Sequence, residues 1–316
     1  MKFSPKPFGA LAAVSLLLVG CSSGQAADVE QLTIVTTSAV LDQATSMAVS
    51  QYVQDQGITA EIQDHEDSDA VFEALEAETA DDHAVIGIVT AQQEPDSEDQ
   101  ELQLPDDVEI VSQAPAELGL AAAASTMTSA QFTRDQQEST EDDAASELQA
   151  ACDGLTWIHA ETPADEVDTL TEGLAEQGCS PEFETTAVVD TAVYDDITGR
   201  LKTEPDTVAM LYSLDPIIVD QGLTALDVET DSWSRSNVVA VAPDHDDDEV
   251  LAQDITAVFD EIDSESATEL LRGFHDSRRS VSDLDYEVDH AIRHWLAQHD
   301  LLDSDTVTDN STDTDE

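Results

Sequence analysis

The sequence predicts a mixed α/β fold built as two similar halves. Three observations carry this. Short β-rich runs alternate with amphipathic stretches, the alternation starts again near the middle of the chain, and a late β-rich run at 237–242 is followed by helical sequence only. Alternation of this kind argues for parallel sheets covered by helices on both faces.

The elements follow in order. Residues 31–37 (QLTIVTT) read as a first buried strand, and 41–56 as a helix ended by Gly57. A second strand is expected at 58–62, then a helix over 67–78 whose Val71, Phe72 and Leu75 share one face. Residues 84–89 (AVIGIV) are a third buried strand. The acidic stretch 92–107 is poor in apolar residues and reads as a surface loop, with strands at 108–111 and 118–124 after it. The second half repeats the theme: helix 141–151, strand 155–159, helix 163–177 and strand 183–189. Asp190 is placed to cap a helix over 191–201, and a further strand follows at 207–211. The strand at 237–242 reads as a return to the first half, and the chain is helical from there to Leu302. Residues 303–316 hold hardly any apolar side chain and are expected to be disordered.

Charge narrows the function. The 316 residues include 71 Asp or Glu against 10 Lys or Arg, a formal charge of −61. A basic face for nucleic acid or anionic lipid is excluded. Hydrophobic residues at 41% still allow a packed core, and with aromatics at 4% that core must be built from Ala, Val, Leu and Ile. The acids are spread along the whole chain rather than clustered. That distribution matches a surface adapted to concentrated salt, which screens the self-repulsion, better than a specialised cation-binding surface.

The first twenty residues read as an export signal. Lys2 and Lys6 precede an apolar run from Phe8 to Val19, and Leu18-Val19-Gly20-Cys21 is followed by Ser22-Ser23-Gly24. The end of this segment resembles the lipobox of bacterial lipoproteins, which implies lipidation of Cys21, a tether over 21–29 and an extracytoplasmic location at the membrane. The other readings are an ordinary cleaved signal or one membrane span, for which the run is short. Loss of residues 1–20 removes two lysines and no acid, leaving 8 basic against 71 acidic side chains and a charge of −63. The remaining cysteines, Cys152 and Cys179, each lie three residues before an apolar stretch. Were those stretches neighbouring parallel strands, both thiols would share one sheet edge and could form a disulfide; the alternative is two separate buried thiols.

Three segments carry a family resemblance. The first is Asp190-Thr191-Ala192-Val193-Tyr194 with its helix, leading to Asp206-Thr207-Val208-Ala209-Met210-Leu211-Tyr212-Ser213-Leu214-Asp215. The second is Leu223-Thr224-Ala225-Leu226-Asp227, an acidic turn, and Ser236-Asn237-Val238-Val239. The third is Leu284-Asp285-Tyr286-Glu287-Val288-Asp289 before a closing amphipathic helix. Together they resemble the substrate-binding proteins of ABC transporters for glycine betaine, choline and related osmoprotectants. The resemblance implies a bilobed periplasmic-binding fold of type II with two crossovers, lobe I spanning 30–115 plus 236–302 and lobe II spanning 116–235. It further implies a small solute trapped as the lobes close, and a permease with its ATPase as partners.

Quaternary ammonium groups are held on the faces of aromatic rings, because such a cation donates no hydrogen bond. The resemblance therefore points to Tyr212, at a strand end, and to Trp233, whose other reading is a surface Trp half buried on its own lobe. The position corresponding to another cage tyrosine is Ser236, and 84–90 is aliphatic where an aromatic is expected. Arg235 can hold a ligand carboxylate through two hydrogen bonds or form a surface ion pair. Ser213 and Asp215 occupy a strand end of the kind that faces ligands in open α/β sheets, although Asp215 before Pro216 also suits a turn. Asn237 opens the returning strand and joins this set. Thr37, Ser38 and Gln43 lie where amides at a helix start bind anions; capping by Ser38 or Asp42 explains the same residues.

His65 and His245 sit in acidic runs that precede helices, where acids favour the positive end of the dipole, and neither run has the glycine and terminal glutamate of an EF-hand. No metal site, cofactor or catalytic motif is expected, and no enzyme activity. The expected function is uptake of a compatible solute such as glycine betaine or choline. The rival expectations are a different small solute in the same fold, or an acidic surface or sensor protein without transport.

Overall fold

The computed structural model describes residues 29–77, 83–93, 102–105, 107–138, 152–159, 171, 174–175, 179–185, 192–204, 206–226, 235–243, 249–278 and 284–303. The signal, the tether up to residue 28, Asp190, Trp233, His245 and residues 304–316 lie outside the described residues, as do the helix expected at 141–151, most of that at 163–177 and the end of the strand expected at 183–189.

Two five-stranded sheets organise the chain. The first holds β1 (Gln31–Thr37), β2 (Thr59–His65), β3 (His83–Gln92), β4 (Val108–Leu118) and β10 (Ser236–Pro243), in the order β2-β1-β3-β10-β4. The second holds β5 (Leu120–Ser125), β6 (Thr156–His159), β7 (Phe183–Thr185), β8 (Thr207–Tyr212) and β9 (Leu223–Ala225), in the order β7-β6-β8-β5-β9. Strands β1, β2 and β3 are mutually parallel, while β10 runs antiparallel between β3 and β4. In the second sheet β6 is parallel to β7 and β8, and β5 is antiparallel to β8 and β9.

Strand periodicity sorts the apolar residues onto two faces of each sheet. On one face of the first sheet Leu32, Ile34, Ala84, Ile86, Ile88, Val238 and Ala240 pack beneath helices α1 (Val40–Asp55), α6 (Glu249–Asp260), α7 (Ser264–Arg278) and α8 (Leu284–Gln298). On the other, Val35, Val85, Val89, Val239 and Val241 meet α2 (Ser68–Ala77) through Val71 and Leu75. Gly87 lies where α2 comes close. A Cβ there would stand 2.9 Å from Val241 Cγ2 and 3.1 Å from Val71 Cγ1, so the glycine in AVIGIV makes room for this layer. The second sheet is built alike. Trp157, Val208, Met210, Ala122 and Ala124 face Phe132 of α3 (Thr126–Glu138) and the bridged Cys152–Cys179 pair, whose Cα atoms are 5.6 Å apart. Ile158, Ala209, Leu211 and Ala123 face Ile197 and Leu201 of α4 (Ala192–Thr203) and Ile217 of α5 (Pro216–Asp220).

Several elements differ from their sequence-based expectation. The expected strands at 108–111 and 118–124 are instead β4, eleven residues long, and β5, which meet at Gly119. Strand β4 runs through Pro115 because it is an edge strand and its register against β10 shifts between Asn237 and Val239, where a proline is tolerated. Strand β2 continues through Asp64 and His65, which pair with Thr36 and Thr37; one side of this edge strand is open to solvent, so polar residues extend it without cost. Helix α3 was not expected from a segment whose apolar residues are sparse. Its start is fixed by Ser125, whose Oγ accepts the Thr128 amide at 3.2 Å. The stretch expected as a surface loop after β3 returns Leu102 and Leu104 to the core of the first sheet, where both are partly buried. Gly57 adopts φ +97° just past α1, the left-handed conformation that stops a helix.

Candidate functional site

The topology brings the ligand-facing edges of the two sheets together. Strands β1, β2 and β3 end at Thr37, His65 and Gln92, and β10 begins at that same edge because Ser236 pairs with both Gln92 and Leu118. In the second sheet β6, β7 and β8 end at His159, Thr185 and Tyr212, and Leu120 at the start of β5 pairs with Tyr212. A single residue, Gly119, separates Leu118 from Leu120. Both carboxyl edges therefore flank one crossover, and the chain crosses back between Leu226 and Arg235. Ligands of open α/β sheets bind at such edges.

Ser213 straddles this crossover. Its amide donates to Gly119 O at 2.8 Å, and its Oγ accepts the Gly119 amide at 3.1 Å. Leu214 turns into the core of the first sheet and belongs to the same buried cluster as Leu41 and Leu118. Asp215 caps α5, its Oδ1 accepting the Ile217 amide at 2.9 Å. Arg272 of α7 reaches Asp220 at the end of α5, with Nη2 3.0 Å and Nε 3.1 Å from Oδ1, tying the two lobes on this side. Tyr212 closes β8 and is 42% exposed, an unusual position for a large side chain in a chain with few aromatics.

The first sheet's edge has a different character. Asn237 is buried and its amide is committed inside the lobe: it accepts from Gln93 Nε2 at 2.8 Å and donates to Ala116 O at 3.1 Å and Ala114 O at 3.3 Å, holding the irregular end of β4. Arg235 is 64% exposed and pairs with Glu117 at 3.4 Å, the geometry of a solvated surface ion pair. Gln43 reaches Asp64 at 3.5 Å, and Ser38 is exposed. Neither Ser38 nor Asp42 caps α1: the N-cap position belongs to Ala39, which has no side-chain cap, and the Ala39 amide donates to Thr37 Oγ1 at 3.1 Å. The acidic run at His65 does start a helix, since Asp67 Oδ1 accepts the Ala70 amide at 2.9 Å. Among the described residues no group of three His, Cys, Asp or Glu is placed to hold a metal ion, and no helix is long and apolar enough to cross a membrane.

Asp42 is the feature that sequence reasoning passed over. Its carboxylate is 1% exposed and takes three hydrogen bonds: from Thr37 Oγ1 at 2.6 Å, from Thr90 Oγ1 at 2.6 Å and from the Thr90 amide at 3.1 Å. The bonds join the ends of β1 and β3 to the first turn of α1. Burial pushes the carboxyl up to about 6, and the three donors hold it below what burial alone would give. A signal for it existed in the sequence. Val40–Gln54 contains one charged residue, Asp42, in a chain that places acids almost everywhere else.

No protein-family model matches the sequence, and no curated protein matches it. Solved structures do. The crystal structure of a glycine betaine/carnitine/choline ABC transporter protein is 15% identical, covering 86% of this chain and 99% of its own, with a TM-score of 0.57. A choline-binding protein of an ABC transporter, in complex with choline, is 12% identical over 85% of this chain and 89% of its own, with a TM-score of 0.53. Lactococcal OpuAC, closed on glycine betaine, is 11% identical over 86% and 96%, with a TM-score of 0.53. What is shared is the fold. The chain has the bilobed type II periplasmic-binding architecture, and the resemblance read from the three sequence segments holds at that level.

Proposed function

We propose that the protein is an extracytoplasmic solute-binding protein of an ABC importer, taking up a quaternary ammonium compatible solute such as choline or glycine betaine. The observation that carries this is the cleft edge at Gly119, where two sheets of this fold meet and Tyr212 is left half exposed beside the crossover. Three solved proteins of the same fold support the ligand class by what they bind or are named for. In this reading lobe I is 30–115 plus 236–302 and lobe II is 116–235, Tyr212 and Trp233 supply aromatic faces to the cation, and Ser213 and Asp215 shape the crossover beneath them. Thr37, Ser38, Gln43 and Arg235 line the opposite edge, and Asn237 supports it from behind by holding the end of β4. The mature chain is anchored through a lipid on Cys21, its acidic surface is adapted to concentrated salt, and it delivers solute to a membrane permease driven by an ATPase.

Calorimetric titration of the mature protein in molar salt tests the reading, with choline, glycine betaine, carnitine and a set of uncharged and anionic solutes as the panel. Saturable binding of at least one quaternary amine supports it. Binding confined to another solute class would replace it with a changed-ligand protein of the same fold, which the single described aromatic at this edge makes the specific rival.

A further inference from the structure

The corner formed by Thr37, Asp42 and Thr90 has hydrogen-bond directions that a ligand must obey. A hydroxyl carries one proton. Thr37 and Thr90 both give theirs to Asp42, at 2.6 Å each, so toward any other group each oxygen can only accept; Thr37 does so from the Ala39 amide. The Thr90 amide is also turned to Asp42. The edge therefore presents lone pairs, and the full negative charge of Asp42 outweighs the roughly half positive charge of the α1 N-terminus on which it sits. That suits a cation and opposes a carboxylate.

The surrounding charges agree. Neither β1 nor β10 contains a titratable side chain, and no Lys or Arg occurs in β1, α1, β2, β3 or β10; the nearest cation in sequence is Arg235, one residue before β10, and it is paired with Glu117 at 3.4 Å. In β3 the titratable group is His83, bonded to Thr33 at 2.7 Å toward the start of the strand. Helix α1 adds Tyr52 and Asp55 in its last turn. Strand β2 brings Asp64 and His65 opposite Thr36 and Thr37, and Glu66 and Asp67 beyond them are exposed.

On the reading that the solute carries a quaternary ammonium, we propose that Asp42 is the positioning residue through which lobe I recognises the solute's positive charge: from beneath the rim, its carboxylate turns the Thr37 and Thr90 protons inward and leaves acceptors and negative potential toward the cleft. The sequence gives no such role to this residue type at a helix start, and the expected carboxylate seat near Ser38 has the opposite polarity. Because burial raises the Asp42 carboxyl to about 6, its charge is lost on mild acidification, and a bound cation must favour the ionised form and displace its proton.

Asp42→Asn is the natural variant, since an amide oxygen can accept from Thr37 and from the Thr90 amide while its NH2 donates to the Thr90 hydroxyl. The corner keeps its shape and loses its charge. Choline and its uncharged tert-butyl isostere, with carbon in place of nitrogen, are titrated into parent and variant at pH 7.5 and pH 5 in constant salt. The variant should bind choline roughly tenfold more weakly at pH 7.5, the effect of a unit charge about 10 Å away at an effective dielectric near 20, and bind the isostere as the parent does. The parent's choline affinity should fall by a similar factor at pH 5 and release part of a proton per choline bound near pH 6, whereas the variant's should stay flat. The His65→Asn protein, which removes the neighbouring imidazole, should keep the parent profile. The pH series of the parent and of His65→Asn carries the same test should Asp42→Asn fold poorly. Equal choline binding by parent and Asp42→Asn at both pH values, or a pH response that vanishes in His65→Asn, overturns the role of Asp42 and leaves the solute class intact. A parent that binds no quaternary amine overturns both.

Discussion

Burial of Asp42 makes the stability of the first lobe depend on pH in a direction opposite to that of a salt-bridged acid. Its folded value of about 6 lies above the ordinary 3.8, so the folded protein holds this proton more tightly than the unfolded chain. The contribution is fully present below 3.8, declines as pH rises toward the folded value and is gone above about 7. A shift from 3.8 to about 6 corresponds to about 3 kcal/mol, of which roughly 2 kcal/mol is lost between pH 4.5 and pH 8. The other acids act in parent and variant alike, so comparison with Asp42→Asn isolates the term. The variant has no proton to lose, and its stability relative to the parent should rise by roughly 2 kcal/mol from pH 4.5 to pH 8. At roughly 2–4 °C per kcal/mol for a chain of this size, the melting temperature of the variant relative to the parent should move upward by about 4–8 °C between the two pH values. Thermal melts followed by circular dichroism in molar salt measure it. A gap of the same size at both pH values would show that Asp42 is hydrated or charge-compensated in a way the three hydrogen bonds do not provide.

Other expectations follow from the same geometry. Tyr212→Ala should leave the melting temperature nearly unchanged, because the ring is half exposed, and weaken a quaternary ammonium ligand by somewhat more than tenfold; unaltered affinity removes Tyr212 from the site. Arg235→Ala should cost less than about 1 kcal/mol of stability, as its partner Glu117 is a solvated one, and calorimetry with glycine betaine against choline shows whether Arg235 also serves the carboxylate, by a loss confined to the former. Joint replacement of Cys152 and Cys179 by serine should destabilise the second lobe by about 3 kcal/mol, the scale for a bridge between cysteines 27 residues apart, with urea unfolding as the readout. The net charge of −61 predicts a melting temperature that climbs steeply with added salt, and a flat profile from dilute buffer to molar salt would contradict the screening argument.

Most of the sheet structure was legible because burial in a covered sheet leaves continuous apolar runs. The strand expected at 31–37 is β1 without adjustment, and AVIGIV is the centre of β3. The return of 237–242 to the first sheet could be read because VVAVA has no helical periodicity and follows an acidic turn. Edges were harder. The polar end of β2 and the proline in β4 belong to strands with one unpaired side, where the residue types that signal a loop are tolerated. Ser213 and Asp215 could be placed at a strand end from sequence, but the use of Ser213 as a brace on Gly119 depends on a contact between residues 94 positions apart, which no local pattern encodes.

The site itself was least legible where composition misled. In a chain with 71 acids, an aspartate carries almost no information by type, and Asp42 at a helix start was naturally read as a cap. The informative quantity is the local absence of charge. Helix α1 is enclosed by its sheet on one side and by α6, α7 and α8 on the other, so solvent-facing acids have no place along most of its length. An acid retained inside such a segment must be held by donors that the fold brings to it, and here they arrive from Thr37, five residues earlier, and from Thr90, forty-eight residues later. In strongly acidic sequences, then, the acid worth testing first is the isolated one within an otherwise uncharged helix, because only a partner or a function offsets the cost of burying it.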